Sequence, residues 1–175
     1  MKRETFENTI KTAEYVEGYV NVEEFLGYCR ECHNYGHIWA CPPHDFDPVK
    51  DYWLKYNNLY VLGRKIYFEG EKDEKKCSEF FIGEKNRMAE ELYAKEKEIP
   101  GSISLFAGSC NLCEEKGCTR TEGKPCRYPA LKRYSIEALG GNVGLTADKL
   151  LGIELQWMEE NKIPEYFVLI GGLLY

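Results

Sequence analysis

Four cysteines within seventeen residues, Cys110, Cys113, Cys118 and Cys126, constrain this chain more than any other feature. Polar turn sequence with Gly117 and Gly123 separates them, and Pro129 follows closely. A stretch so dense in thiols and so poor in apolar residues cannot be a regular strand or a packed helix. It reads as a loop wrapped around a centre. A second, shorter group lies upstream as Cys29-Arg-Glu-Cys32 and Cys41-Pro42-Pro43. Seven of the eight cysteines therefore fall in two compact groups, and only Cys77 stands apart.

What the thiols do depends on the compartment. The 175 residues carry 43% hydrophobic and 30% charged side chains, a balance expected of a globular chain with one substantial core, and residues 1–175 read as a single domain. No apolar run reaches the roughly 20 residues that span a bilayer, and Met1-Lys-Arg-Glu-Thr-Phe lacks the apolar stretch of a signal peptide. The expectation is a cytoplasmic protein with no membrane partner, in which clustered cysteines are metal ligands more often than disulfides. The net charge of -6 and the lack of a basic block argue against nucleic-acid binding.

In chain order, residues 9–16 suit an opening helix, whereas Tyr19-Val-Asn-Val22 and Phe25-Leu-Gly-Tyr28 suggest extended chain leading into the first cysteine group. Asp47-Pro48 reads as an N-cap followed by proline at N1, opening a short helix. Leu59–Phe68 reads as a strand. The region between Asp73 and Glu98 reads as a helix with Cys77, Phe81, Met88 and Leu92 on one face, which makes Cys77 a core residue. Pro100-Gly101 stops that helix, and Ser102–Phe106 is a strand delivering Cys110. A helix from Pro129 to Gly140, a short one over Thr146–Leu151 and a buried strand at Tyr166–Ile170 complete the reading. The pattern predicts an α+β or α/β fold, a compact mixed sandwich with two cysteine-rich metal-binding loops at one end of the sheet.

The chemistry of the two groups follows from their donors. Thiolates suit iron-sulfur cubanes and structural zinc alike. The spacing of Cys110, Cys113, Cys118 and Cys126 before Pro129 is closer to a widened [4Fe-4S] cradle than to the paired knuckles of a zinc ribbon. Cys29, Cys32 and Cys41 offer three ligands. They would bind a second [4Fe-4S] cluster with one iron open to a small ligand, or zinc completed by His33, His37 or His44; otherwise those histidines are polar loop residues. Tyr35 and Trp39 would shield the first centre or pack its loop. Arg127, Arg133 and Glu137 would bracket the main group or brace the chain after it. Gly140-Gly-Asn-Val-Gly144 lacks the dinucleotide-binding order and reads as a cap and turn, and no P-loop, H-E-x-x-H or G-x-S-x-G motif is present.

The ordered set Cys29-x2-Cys32-x2-Tyr35-Gly36-x2-Trp39-x-Cys41-Pro42-Pro43, Gly108-Ser109-Cys110-x2-Cys113, Cys126-Arg127-x-Pro129 and Arg133-x-Ser135-x-Glu137-Ala138-x-Gly140 resembles the predicted metal-binding proteins of domain of unknown function 2284 over nearly the whole chain. The resemblance implies a small cytoplasmic protein of anaerobic bacteria or archaea with an iron-sulfur cluster. The Cys113-x4-Cys118 interval is wider than the spacing associated with that family. The function expected from the sequence is an iron-sulfur protein with one or two [4Fe-4S] clusters, ligated by Cys110, Cys113, Cys118, Cys126, Cys29, Cys32 and Cys41. It would exchange electrons with a redox protein partner or act on a small ligand at the open iron. The alternative is a zinc-stabilised binding or scaffold protein.

Overall fold

The computed structural model describes residues 2–67, 74–156 and 164–175. Its frame is a four-stranded antiparallel sheet in the order β1-β2-β4-β3, with β1 Arg3–Lys11, β2 Asn58–Tyr67, β3 Ile103–Leu105 and β4 Tyr166–Leu174. β2 and β4 are central because their side chains are apolar on both faces. Leu59, Val61, Ile170 and Leu174 pack on one side, and Leu62, Ile66 and Leu169 on the other. Burying each such side chain contributes about 1.5–3 kcal/mol. The antiparallel pairing (Leu59 opposite Leu174, Ile66 opposite Phe167) makes the fold α+β and rules out the α/β reading, which needs parallel strands.

Each face is covered differently. Helix α4, Glu74–Glu98, lies on the face of Leu62 and Ile66 through Met88 and Leu92, both fully buried. Its apolar stripe is narrow, and charge completes its anchoring. Arg3 grips the buried Glu84 with two 2.7 Å bonds, and Arg64 holds Glu91 at 2.6 and 3.1 Å. Cys77 is 6% exposed, the core position its spacing predicts. On the opposite face sit α1, Thr12–Tyr19, and the segment from Ile136 to Ile153. There Tyr15 stacks on Tyr19, Trp53 donates its indole N–H to Leu139 O at 2.9 Å, and the Tyr15 hydroxyl meets Thr146 Oγ1 at 2.7 Å.

Three local expectations change. Residues 3–11 are the edge strand β1, and the opening helix starts only at Thr12. The stretch expected to be extended holds helix α2, Val22–Arg30, because Asn21 caps it: its Oδ1 accepts from Glu24 N–H while its amide reaches Glu24 Oε2 at 3.0 Å, a reciprocal cap. No helix runs from Pro129. The chain stays irregular there, pairs Phe106 N–H with Tyr134 O at 2.9 Å, and makes only a 3-10 turn over Glu137–Leu139. By contrast, Asp47 does cap α3, Pro48–Asp51, with Oδ1 accepting from Val49 and Lys50 N–H. The helix after Asn142 forms as Val143–Leu145, labelled α5, running into a π turn over Thr146–Leu150.

Candidate functional site

Helix α2 delivers Cys29, and Cys32 follows in the turn after its end. Residues 33–43 then loop back through a series of turns to Cys41, with a cis bond between Pro42 and Pro43. β3 runs out through Phe106 and Ala107 to Cys110, as its spacing predicts; Cys113 and Cys118 stand immediately before the 3-10 turns Glu114–Lys116 and Thr119–Glu122, and Cys126 lies in irregular chain beyond them.

The two cysteine loops are stitched together. Arg120 reaches across to donate to Ile38 O at 2.8 Å, Cys41 O at 2.6 Å and Pro43 O at 2.7 Å, and its guanidinium lies 5.2 Å from the Trp39 ring centre. Trp39 answers from the other loop: its backbone N–H points at Cys118 Sγ, 3.4 Å away, and its indole N–H donates to Lys124 O at 3.1 Å. Trp39 thus packs one loop against the other. His44 is held by Ala138 O at 2.7 Å and stacks on Phe46, and burial pushes its pKa down. His33 and His37 are exposed.

Burial dominates three of the thiols, Cys29, Cys41 and Cys110. The Cys41 pKa is pushed up to about 12, first by desolvation and then by the neighbouring Cys32, Cys29 and Cys110. Cys29 and Cys110 are raised for the same first reason. Cys110, Cys113, Cys118 and Cys126 line a cavity of about 450 Å³ with Trp39, Tyr128 and Lys132. Cys29 and Cys32 line a larger one of about 1200 Å³, walled by Phe25, Tyr28, Phe81, Phe167, Val168 and Glu137.

Lys85 of α4 is a residue the sequence did not single out. Its ammonium donates to Ser109 O at 3.2 Å and lies within electrostatic reach of Glu137, Cys110 and Cys41, and burial pushes its pKa down. Arg120 was missed as well, since an arginine in a polar turn carries no local signal.

The three residues expected to act together after the main group go separate ways. Arg127 donates to Gly117 O and lies 3.8 Å from Glu122. Arg133 forms a two-bonded pair with Glu96. Glu137 lines the larger cavity, and its Oε2 is buried without a hydrogen-bond partner. Burial pushes the Glu137 pKa up, against the pull of its own N–H, the Ser135 hydroxyl and Lys85.

An acid whose folded pKa lies above its unfolded value contributes stability that is present below the unfolded pKa and lost as pH rises through the folded one. Glu137→Gln is therefore expected to unfold at higher urea than the parent chain at pH 7.5. The advantage should shrink toward pH 4, and urea titrations at the two pH values check it. An advantage that grows toward pH 4 would show that burial does not raise the carboxyl's pKa.

The expected metal centres are not there. All eight cysteines are among the described residues and none forms a disulfide, yet no group of three or more His, Cys, Asp or Glu side chains among those residues is placed to hold a metal ion. Six of the seven clustered cysteines are divided between the walls of two cavities, and Cys32 is exposed. This arrangement overturns the [4Fe-4S] clusters at either group and the zinc alternative. It also overturns electron transfer to a redox partner and the small ligand at an open iron, and the two loops are not metal-binding loops. No helix among the described residues is long and apolar enough to cross a membrane.

Sheet, stitched loops and cavities together define an α+β protein with two cysteine-lined hollows. The chain belongs to the family described as predicted metal-binding proteins (DUF2284), whose model matches residues 16–175. No curated protein and no solved structure matches it.

Proposed function

We propose that this chain binds a small organic molecule whose apolar body lodges in the larger cavity. The single observation that carries this reading is the cavity itself. At about 1200 Å³ it is somewhat larger than the roughly 300–1,000 Å³ of most ligand sites, which are mostly apolar with a few polar groups fixing orientation. Phe25, Phe81, Phe167, Val143, Leu155 and Val168 supply apolar wall, while Glu137 and Asn142 supply polar points.

In this reading the seven clustered cysteines are working residues of one domain through their thiols. Cys29 and Cys32 give the ligand a soft, polarisable contact surface. Cys110, Cys113, Cys118 and Cys126 form the smaller compartment, and Cys41 lies in electrostatic reach of both groups.

Nile red, a neutral apolar dye that brightens on leaving water, tests the idea. It is expected to bind the full chain saturably at one site. Ser78, exposed on α4 and at the cavity wall, is the place to obstruct it. Ser78→Trp is expected to weaken dye binding about tenfold, equivalent to about 1.4 kcal/mol, without lowering the melting temperature. No saturable dye binding, or binding indifferent to Ser78→Trp, overturns the reading.

A further inference from the structure

The walls of the larger cavity carry charge of one sign. Glu24 and Glu137 line it, and no lysine or arginine does so among the described residues. The nearest cation found for Glu137 is Lys85, whose ammonium is engaged with Ser109 O. Glu137 Oε2 is buried and makes no hydrogen bond, although leaving a buried acceptor unsatisfied costs about 1–3 kcal/mol. The same cavity is lined by the rings of Phe25, Tyr28, Phe81 and Phe167, with Phe25 and Tyr28 edge to face at 5.7 Å and Phe81 and Phe167 at 5.6 Å. Aromatic faces carry negative potential and attract cations, most strongly where water is excluded.

Two acids and four rings at the wall form a surface that rejects anions, tolerates neutral apolar molecules and favours one class above both. We infer that the ligand of this cavity is an organic cation, an amine borne on an apolar or aromatic body, with Glu137 as its counter-ion and the rings as its cage. The inference rests on the binding reading above and names the ligand class for that same site. An ammonium head supplies the opposite charge that makes a buried carboxylate tolerable, which Lys85 gives only at a distance. The apolar body takes the place of water against Val143, Leu155 and Val168.

Three molecules with one ring system separate charge from shape: 2-naphthylmethylamine, 2-naphthylmethanol and 2-naphthoate, each titrated against bound Nile red on the full chain at pH 7.5. The amine is expected to displace the dye at about tenfold lower concentration than the alcohol, with the naphthoate weakest. Glu137→Gln is expected to bring the amine and the alcohol together, each displacement being referred to that variant's own dye affinity, because only the charged head group loses its partner. Glu137→Asp keeps the charge and is expected to retain part of the amine preference.

Equal displacement by amine and alcohol in the parent chain overturns the inference while the dye-binding result stands. A preference for the amine that survives Glu137→Gln overturns the assigned counter-ion. Failure of the dye to bind, or to respond to Ser78→Trp, removes the cavity reading itself, so the two levels fail in different measurements.

Discussion

Gly140→Ala is expected to lower the unfolding free energy by about 2–4 kcal/mol and the melting temperature by about 5–15 °C. Two independent costs add. Gly140 ends the 3-10 turn that carries Glu137 at φ +81°, a conformation from which a Cβ is sterically discouraged. A Cβ at this position would also stand 2.7 Å from Val22 Cα and 2.7 Å from Val22 Cγ2, and backbone cannot yield as a flexible side chain can. Its carbonyl accepts from Asn21 N–H at 2.8 Å, so the residue seats the start of α2, the helix that delivers Cys29 to the cavity. The variant should therefore lose Nile red binding at temperatures where it is still folded. Gly18→Ala is the contrast: it lies in α1 with nothing within 4 Å of a built Cβ, and it is expected to stabilise by about 0.5–1 kcal/mol. A Gly140→Ala protein as stable as its parent would show that α2 does not approach the turn this closely in solution.

Arg120→Ala is expected to raise the alkylation rate of Cys41 by between about 10-fold and 1000-fold. Three carbonyls of the 38–43 loop lose their donor at once, and hydrogen bonds to a charged group contribute about 1.5–3 kcal/mol each when well formed. With Arg120 gone, the loop is held to its neighbour by Trp39 through Cys118 Sγ and Lys124 O. Burial is the largest cause of the Cys41 pKa of about 12, and an opened loop returns the thiol toward the 8.5 of a free cysteine, multiplying its thiolate by roughly a thousand. Losing the arginine's charge acts in the other direction, but it is the smallest of the influences on that thiol. Iodoacetamide labelling resolved by peptide mass spectrometry gives the rate for each cysteine, with Cys77 in α4 expected to be unchanged. Equal labelling of Cys41 in variant and parent would mean that the proline-rich loop holds itself in place.

Features set by neighbours in the chain were legible before any fold was known. Asp47-Pro48 caps a helix because an aspartate oxygen and a proline ring act within one turn. The run at Leu59, the helix to Glu98 and the burial of Cys77 follow from residue type and period. Even the missed helix at Val22–Arg30 left a local trace in the reciprocal pairing of Asn21 and Glu24, overshadowed by the strand preference of Val, Phe and Tyr.

What the sequence by itself determined, then, is the strands at Leu59 and Tyr166, the helices from Pro48 and up to Glu98, and that seven thiols lie close along the chain. Where the sulfurs point was decided by contacts between residues about 80 positions apart, those of Arg120 with Ile38, Cys41 and Pro43, and of Trp39 with Cys118 and Lys124. The pairing of Phe106 with Tyr134 likewise kept residues 129–136 out of a helix. Spacing fixes how far a cysteine can reach, whereas its direction depends on which distant carbonyls and rings anchor the loop. Tertiary packing alone therefore turned a pattern suited to a metal into two thiol-lined cavities, and it alone left the Glu137 Oε2 buried without a partner.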